Sequence, residues 1–189
     1  MFDSRGTIPF RADIRDAAAR RPQASLDELG RIVGVPEGAA AAALADEDCV
    51  VIPGGAFERA WAAMTEWERV TFIVRNPSAI VEVRGPLPSG RFGHGFFNIG
   101  DENAALGGHL RADRLAAIVF LSKPFMGMES HSVRFYDADG ELMFAVYAGR
   151  NGREVIPSVR EAFFQLRRRL SRAAAESIPG TADEKGDNP

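Results

Sequence analysis

The spacing of apolar residues changes about one third of the way along the chain. In the first third they recur at helical spacing, as in Phe57, Ala60, Trp61 and Met64, which would share one helix face. From Val70 onward, short runs have the length and the β-branched and aromatic content of strands: VTFIVR, AIVEVRG, RFGHGFFN, LAAIVFL, HSVRFY and LMFAVY. The pattern therefore predicts a mainly helical part, residues 1–67, followed by a sheet, residues 68–150.

Local signals mark where these elements begin and end. Ser25 and Glu28 form a capping box, Gly34 is suited to ending that helix, and Pro36 to starting the next. The sequence DADG between HSVRFY and LMFAVY predicts a hairpin. No helical pattern separates the strands, so a mostly antiparallel sheet is favoured over a parallel one.

A last amphipathic helix, residues 157–172, is predicted by the spacing of Val159, Phe163, Leu166 and Leu170 after a proline. The polar remainder, residues 173–189, is expected to be a disordered tail. The predicted fold class is α+β: N-terminal helices, a large mostly antiparallel β-sheet wrapped by helices, and a C-terminal helix. Residues 1–172 would form a single domain.

Composition narrows the possible environments and partners. The 189 residues carry a formal charge of −3, which gives no global attraction to nucleic acid or anionic membranes. The longest apolar run, LAAIVFL, is too short to cross a bilayer, so no membrane insertion is expected. Cys49 is the only cysteine, which rules out an internal disulfide and fits a cytoplasmic location.

The stretch GRFGHGFFNIG, residues 90–100, contains four glycines around one histidine. It lacks the third glycine of a dinucleotide fingerprint and the Gly-Lys-Ser/Thr of a P-loop, so it does not predict a phosphate site. Read as one strand, it would place Phe92, His94, Phe96 and Asn98 on a single face. Two interpretations stay open: a sharply bent strand covered by a helix, or a sheet face cleared for a flat apolar ligand.

The other two histidines differ in their surroundings. His109 follows two glycines, which predicts an open environment. His131 alternates with Val133 and Phe135, which predicts a buried histidine with its hydrogen bonds satisfied.

The segment SLDELGRIVGVPEGAAAAALADED has the helix, turn and helix spacing of a DNA-binding motif. Its second helix offers alanines followed by Asp46, Glu47 and Asp48, and none of these reads base edges. We interpret the segment as a structural scaffold and expect no nucleic-acid partner.

Several strings occur together in an order that resembles a known family. PLPSG, HGFFN, GGH, KPFMGMES and DADGELMFAVYAGR are similar to segments of the ChuX/HutX haem-utilisation carriers, and the resemblance covers residues 24–170. It implies a cytoplasmic, homodimeric, antiparallel-sheet protein similar to half of the larger haem-handling proteins. It also implies a carrier, not an obvious catalyst, that holds haem as cargo and passes it to a haem-degrading enzyme.

The resemblance also implies a set of site residues. His109 occupies the position of a histidine implicated in haem binding, and is the expected axial ligand of the iron. Phe96 stands where members commonly have tyrosine, and Arg75 where some have a second haem-linked histidine. Phenylalanine has no donor atom for iron, and arginine is suited to a haem propionate. The candidates for a second ligand are His94, Met126 and Met128.

Two alternatives stay open at this point. The chain could be a haem-degrading or other porphyrin-dependent enzyme, although it shows no distinctive acid–base or nucleophile constellation. It could also bind a different flat ligand, or none, because Phe96 and Arg75 depart from the family pattern. Covalent haem attachment is excluded, because no C-x-x-C-H occurs.

Overall fold

The computed structural model describes residues 10–177. The helices are α1 (Arg11–Arg20), α2 (Leu26–Val33), α3 (Glu37–Ala43), α4 (Phe57–Met64) and α5 (Pro157–Glu176). The strands are β1 (Cys49–Pro53), β2 (Val70–Asn76), β3 (Ala79–Gly85), β4 (Gly90–Gly93), β5 (Phe96–Ile99), β6 (Gly108–Leu110), β7 (Leu115–Ser122), β8 (His131–Asp137), β9 (Leu142–Ala148), β10 (Arg150–Asn151) and β11 (Glu154–Val155). Short 3₁₀ turns, Gly54–Ala56 and Ala112–Arg114, precede α4 and β7.

The strands form one large and one small antiparallel sheet. The large sheet has six strands in the order β1-β7-β8-β9-β2-β3, and the small sheet has the order β4-β5-β6. A two-stranded hairpin, β10-β11, precedes α5. Every strand pairing within the described residues is antiparallel, which confirms the predicted α+β class.

The predicted helix ends are present. The Ser25 hydroxyl accepts from the Glu28 amide, and the Glu28 carboxylate accepts from the Ser25 amide, which completes the capping box of α2. Gly34 ends that helix in the left-handed conformation, with φ 79°. The first amides and last carbonyls of a helix have no partner of their own within it, and these caps satisfy some of them.

The main core lies between one face of the large sheet and a layer made of α4, α5 and the small sheet. Trp61 of α4 packs edge-on against Phe72 of β2 and Phe144 of β9. The small sheet joins this core through Phe97 and Ile99 of β5, while α5 joins it through Phe163. The apolar faces predicted for α4 and α5 are buried here, which confirms their helical spacing.

The opposite face of the large sheet is covered by α2 and α3. Tyr136 of β8 packs there with Leu26 and Ala41. α3 buries Gly38 and most of its alanines, so it is a scaffold element and is not exposed as a recognition helix would be. Cys49 lies in the same cluster, and burial raises the pKa of its thiol to about 12.

The structure differs from the prediction in the helical part, residues 1–67, and at the end of the last helix. Strand β1 lies inside the part predicted to be mainly helical, and it pairs along the edge of the large sheet with β7. Helix α5 continues to Glu176, so residues 173–176 are helical and do not belong to a disordered tail. Ser177 is the C-cap of this helix, and the rest of the predicted tail, residues 178–189, lies outside the described residues. In the part of the chain described, no helix has the length and apolar character needed to span a membrane.

A buried carboxylate links the helical layer to the large sheet. Glu37 of α3 is only 5% exposed, and it forms ion pairs with Arg134 of β8 and Arg75 of β2. It also accepts a hydrogen bond from the Tyr136 hydroxyl at 2.9 Å, and burial keeps that phenol protonated by raising its pKa. The short helix α3 is thereby tied to two strands of the sheet.

We predict that Glu37→Ala lowers the free energy of unfolding by about 3–5 kcal/mol, because it leaves the Arg134 guanidinium buried without its carboxylate. Urea denaturation followed by tryptophan fluorescence measures the change. The control is Asp27→Ala, which removes the partly exposed carboxylate that also pairs with Arg75. In this control the free energy of unfolding should fall by less than about 1 kcal/mol. Equal losses in the two variants would contradict the prediction.

Candidate functional site

The glycine-rich stretch is a hairpin, and the prediction that it forms one strand is wrong. β4 and β5 pair antiparallel with Gly93 opposite Phe96, so only His94 and Gly95 form the loop. Both loop residues have positive φ, 53° and 80°. This is the geometry of a two-residue type I′ turn, in which glycine at the second position is strongly favoured.

The turn changes which side chains share a face. Phe92 lies opposite Phe97, on the face that packs on the core, and its ring contacts Phe97 and Phe57. Phe96 and Asn98 point the other way, so the predicted common face of Phe92, His94, Phe96 and Asn98 does not exist. Glycine is required at position 90, because a Cβ there would overlap the buried Phe97 ring.

His109 lies on the outward face of the small sheet, in β6 directly opposite Asn98. Its Nδ1 is 2.7 Å from the Asn98 Oδ1, and its ring centroid is 5.8 Å from that of Phe96. The imidazole is exposed, and no hydrogen bond within residues 10–177 involves its Nε2. His109 and Phe96, two of the predicted site residues, are therefore brought together.

Two arginines flank this pair. The Arg111 guanidinium lies 5.8 Å from the Phe96 ring centroid and binds both oxygens of Asp113. Arg91 lies opposite Asn98 on the same sheet face, and it forms no ion pair within the described part of the chain. We name Arg91, Phe96, Asn98, His109 and Arg111 the His109 face. Sequence reasoning missed Arg91 as a site residue and Asn98 as a partner of His109. Reading HG as a hairpin turn would have paired Arg91 with Asn98, whereas the pairing of Asn98 with His109 depends on the separate β5–β6 register.

His94 lies at the tip of the β4–β5 turn. Its side chain is exposed, and no hydrogen bond of the ring occurs among residues 10–177. Its position two residues before Phe96, across the turn, leaves it near one end of the His109 face.

The methionines proposed as second ligands lie at the other end of the large sheet. Strand β7 begins shortly after His109 and runs for eight residues, about 25 Å, before the turn that contains Met126 and Met128. The turn is closed by Phe125 and Met128, and Met126 is exposed at its tip. Within one chain the structure therefore does not bring either methionine to His109.

Arg75 is also separated from His109, because its side chain points to the face of the large sheet that α2 and α3 cover. There it is held by Glu37 and by Asp27, at 3.3 Å. A cleft of about 570 Å³ lies beside it, lined by Asp27, Arg31, Glu37 and Glu141 among others. Its guanidinium already has two carboxylate partners, so it does not contribute a free cation to the His109 face.

His131 has the environment that the sequence predicts. It is 5% exposed, with Nδ1 3.0 Å from the Ser122 hydroxyl and Nε2 2.8 Å from Glu129. Its ring packs on Phe163 and Phe164. Both nitrogens are engaged and the ring is enclosed, so His131 is a structural residue of the core.

The His109 face has the chemistry that a haem requires. An exposed imidazole offers a nitrogen to iron, and the adjacent Phe96 ring offers an apolar plane. Arg91 offers a charge that complements a propionate, whereas Arg111 is already paired with Asp113. The fold and this face together define a class: an α+β protein with an open, histidine-bearing sheet face suited to a planar anionic ligand. Residues 50–166 match the family model described as haem utilisation ChuX/HutX, and the chain belongs to that family.

Curated and solved relatives agree with this assignment. The chain is 37% identical over 116 residues to the intracellular haem transport protein HutX of Vibrio cholerae, and the match covers 61% of this chain and 60% of HutX. It is also similar to the crystal structure of the haem-binding protein ChuX. The TM-score is 0.76 at 27% identity, with 84% of this chain and 99% of that chain covered.

The larger haem-handling proteins contain a similar fold. Holo-PhuS, a haem-binding protein from Pseudomonas aeruginosa, aligns with a TM-score of 0.67 at 21% identity. The alignment covers 85% of this chain but only 48% of PhuS. This confirms the expectation that the fold corresponds to about half of such a protein.

We predict that His131 makes stability depend on pH. Burial lowers the pKa of His131 below its usual 6.5, although the Glu129 carboxylate opposes this shift. The unfolded chain therefore binds a proton more readily, and the free energy of unfolding falls as the pH drops below 6.5 towards the folded-state pKa. The slope is at most about 1.4 kcal/mol per pH unit for one proton.

Urea denaturation at pH 7.5, 6.5 and 5.5 tests this, with His131→Gln beside the wild type. The variant should be less stable at pH 7.5 and show a smaller slope. Glu129 titrates in a lower window, because its hydrogen bonds from Arg160 and His131 hold its pKa below 4.5. An unchanged slope in His131→Gln would assign the pH dependence to other groups.

Proposed function

We propose that this protein is a cytoplasmic haem carrier that binds haem on the His109 face and passes it to a haem-using or haem-degrading protein. The observation that carries the proposal is the exposed His109 imidazole, whose Nε2 is accessible beside Phe96 and two arginines. Membership in the haem utilisation family, and the names of HutX and ChuX, support haem as the planar ligand.

His109 would be the axial ligand, and Phe96 would contact the porphyrin plane without reaching the iron. Arg91 is better placed than Arg75 to pair with a propionate, since it shares the sheet face of His109. Arg111 also lies on that face, but it would have to exchange Asp113 for the propionate. His94, on the adjacent turn, is the remaining candidate for a second contact to the iron. Met126 and Met128 would reach a haem on this face only from another chain.

The openness of the site favours a carrier. A haem on the His109 face would lie on a three-stranded sheet and be covered by this chain on one side only. A single strong ligand and an uncovered side allow the haem to leave, as delivery to another protein requires. A haem-degrading enzyme is the competing interpretation, and the two predict different fates for the ring.

We also propose that the protein is a homodimer. Strand β3 is an edge of the large sheet, and it exposes Ile80 (66%) and Val81 (59%) on its two faces. An unpaired edge with exposed apolar side chains is a surface that associates with another strand. A second copy of the chain, packed against β3, would cover the unpaired edge and the two exposed side chains.

The first prediction tests the ligand. Haemin titration followed by the Soret band should saturate near one haem per chain in the wild type, and His109→Ala should shift the band and weaken binding by at least about 10-fold. His94→Asn is titrated beside it, because asparagine tolerates the positive φ of that turn position, and it should weaken binding less than His109→Ala if His109 is the main ligand. Saturable binding that is unchanged in His109→Ala would place the haem elsewhere.

The same loaded protein distinguishes a carrier from an enzyme. Incubation with apomyoglobin should transfer intact haem, and incubation with ascorbate in air should leave the porphyrin spectrum intact over the same time. Loss of the Soret band with release of iron would favour the enzyme.

The dimer is tested separately. Ile80→Lys should lower the sedimentation coefficient of the haem-free protein to that of a monomer, because a charge would be desolvated at the contact. Ser78→Lys, in the exposed turn between β2 and β3, is the control for added charge and should stay dimeric. Sedimentation of the wild type as a monomer would rule out the dimer.

A further inference from the structure

We propose that Asn98 is a positioning residue that selects the tautomer of His109 in which Nδ1 carries the proton and Nε2 presents a lone pair. The inference rests on the proposed function for its purpose, since it concerns the nitrogen offered to iron. The state of the imidazole itself is set by hydrogen bonds within the haem-free chain, and it can be measured there.

The orientation of the Asn98 amide is determined by the backbone around it. Its Nδ2 lies 3.0 Å from the carbonyl oxygen of Gly93, 3.3 Å from that of Arg91 and 3.4 Å from that of Phe96. Carbonyl oxygens only accept, so the amide nitrogen must face them. The reversed orientation would place Oδ1 against three acceptors and lose every one of these hydrogen bonds.

The amide oxygen is then left facing His109. The Asn98 Oδ1 is 2.7 Å from the His109 Nδ1, and an amide oxygen cannot donate. Nδ1 must therefore be the donor. A neutral imidazole has only one N–H, so Nε2 is unprotonated, and this is the nitrogen with no protein partner in the described residues.

This arrangement prepares the ring for a metal. Iron binds the lone pair of a neutral imidazole nitrogen, and a hydrogen bond at the other nitrogen sets the tautomer, orients the ring and increases its donor strength. Without Asn98, the ring could rotate about its side-chain bonds and carry its proton on Nε2. Binding haem would then require the proton to move and the ring to be ordered.

The hairpin explains how a residue of β5 reaches this position. The His94–Gly95 turn fixes the β4–β5 register, which places Asn98 opposite Arg91, and the separate β5–β6 pairing places Asn98 opposite His109. A Cβ at Gly93 would lie 3.3 Å from the Asn98 Nδ2, so the glycine leaves space for the amide. One side chain of the HGFFN string therefore links the turn to the candidate ligand.

A purely structural role is the alternative, because the Nδ2 hydrogen bonds also hold the hairpin together. Two variants separate the roles. Asn98→Leu removes the acceptor and the donors, whereas Asn98→Asp removes the donors but keeps an acceptor for Nδ1. A role through the hairpin alone predicts that both variants behave alike. A role through His109 predicts that they differ.

The first measurement is ¹⁵N NMR of the imidazole rings in the unaltered, haem-free protein, at a pH where the rings are neutral. His109 should show a protonated Nδ1 and an unprotonated Nε2. His94, whose ring forms no hydrogen bond with any residue of the described range 10–177, is the internal reference for an unconstrained imidazole. A predominantly Nε2-protonated His109 in the wild type would overturn the inference, whatever the protein binds.

The variants complete the test. Asn98→Leu should give His109 the tautomer mixture of His94 and weaken haem binding by about 10–100-fold, whereas Asn98→Asp should keep the wild-type tautomer and most of the affinity. Equal losses of haem affinity in the Asn98→Leu and Asn98→Asp variants, with the His109 tautomer unchanged, would overturn the positioning role. If the His109 tautomer depends on the acceptor at position 98 but the protein does not bind haem, the result supports the inference about Asn98 and rejects the proposed carrier function.

Discussion

The packing of Phe97 against the aromatic core is the contact that orients the candidate site. Its ring lies 4.8 Å from that of Phe57 and 5.4 Å from that of Trp61, with both pairs edge to face. Side chains alternate along a strand, so burying Phe97 forces its neighbours Phe96 and Asn98 to point outward. The same register carries His109 outward in β6. The exposed face therefore follows from the burial of one phenylalanine.

Two groups of arginines lie on opposite sides of the main core, one on the large sheet and one on the small sheet. On the helical face, the Glu37 carboxylate is shared by Arg75 and Arg134, and these charges join α3 to the strands. On the far side of the core, Arg91 and Arg111 lie at the surface of the small sheet beside His109. The first two arginines thus hold the fold together, whereas Arg91 and Arg111 lie beside the candidate ligand.

Local patterns predicted the elements well and the site only partly. The capping box of α2, the apolar faces of α4 and α5, and the DADG hairpin depend on neighbours within a few residues, and all are present. Strand β1 was missed, because its pairing partner β7 is about 70 residues away. The grouping of Arg75, Met126 and His109 came from a family resemblance. The structure separates them, because the side of the sheet on which a residue lies depends on pairings that are distant in sequence.

The sequence alone determined the α+β class, the antiparallel sheet and the buried state of His131. These conclusions rest on periodicity, local turn chemistry and recognisable strings, all of which are short-range properties of the chain. Only the tertiary structure decided that HG is a turn, that Asn98 bonds to His109, and that Arg75 belongs to a buried ion pair. Each of these depends on which strands lie side by side, and strand pairing is set by the packing of the whole core.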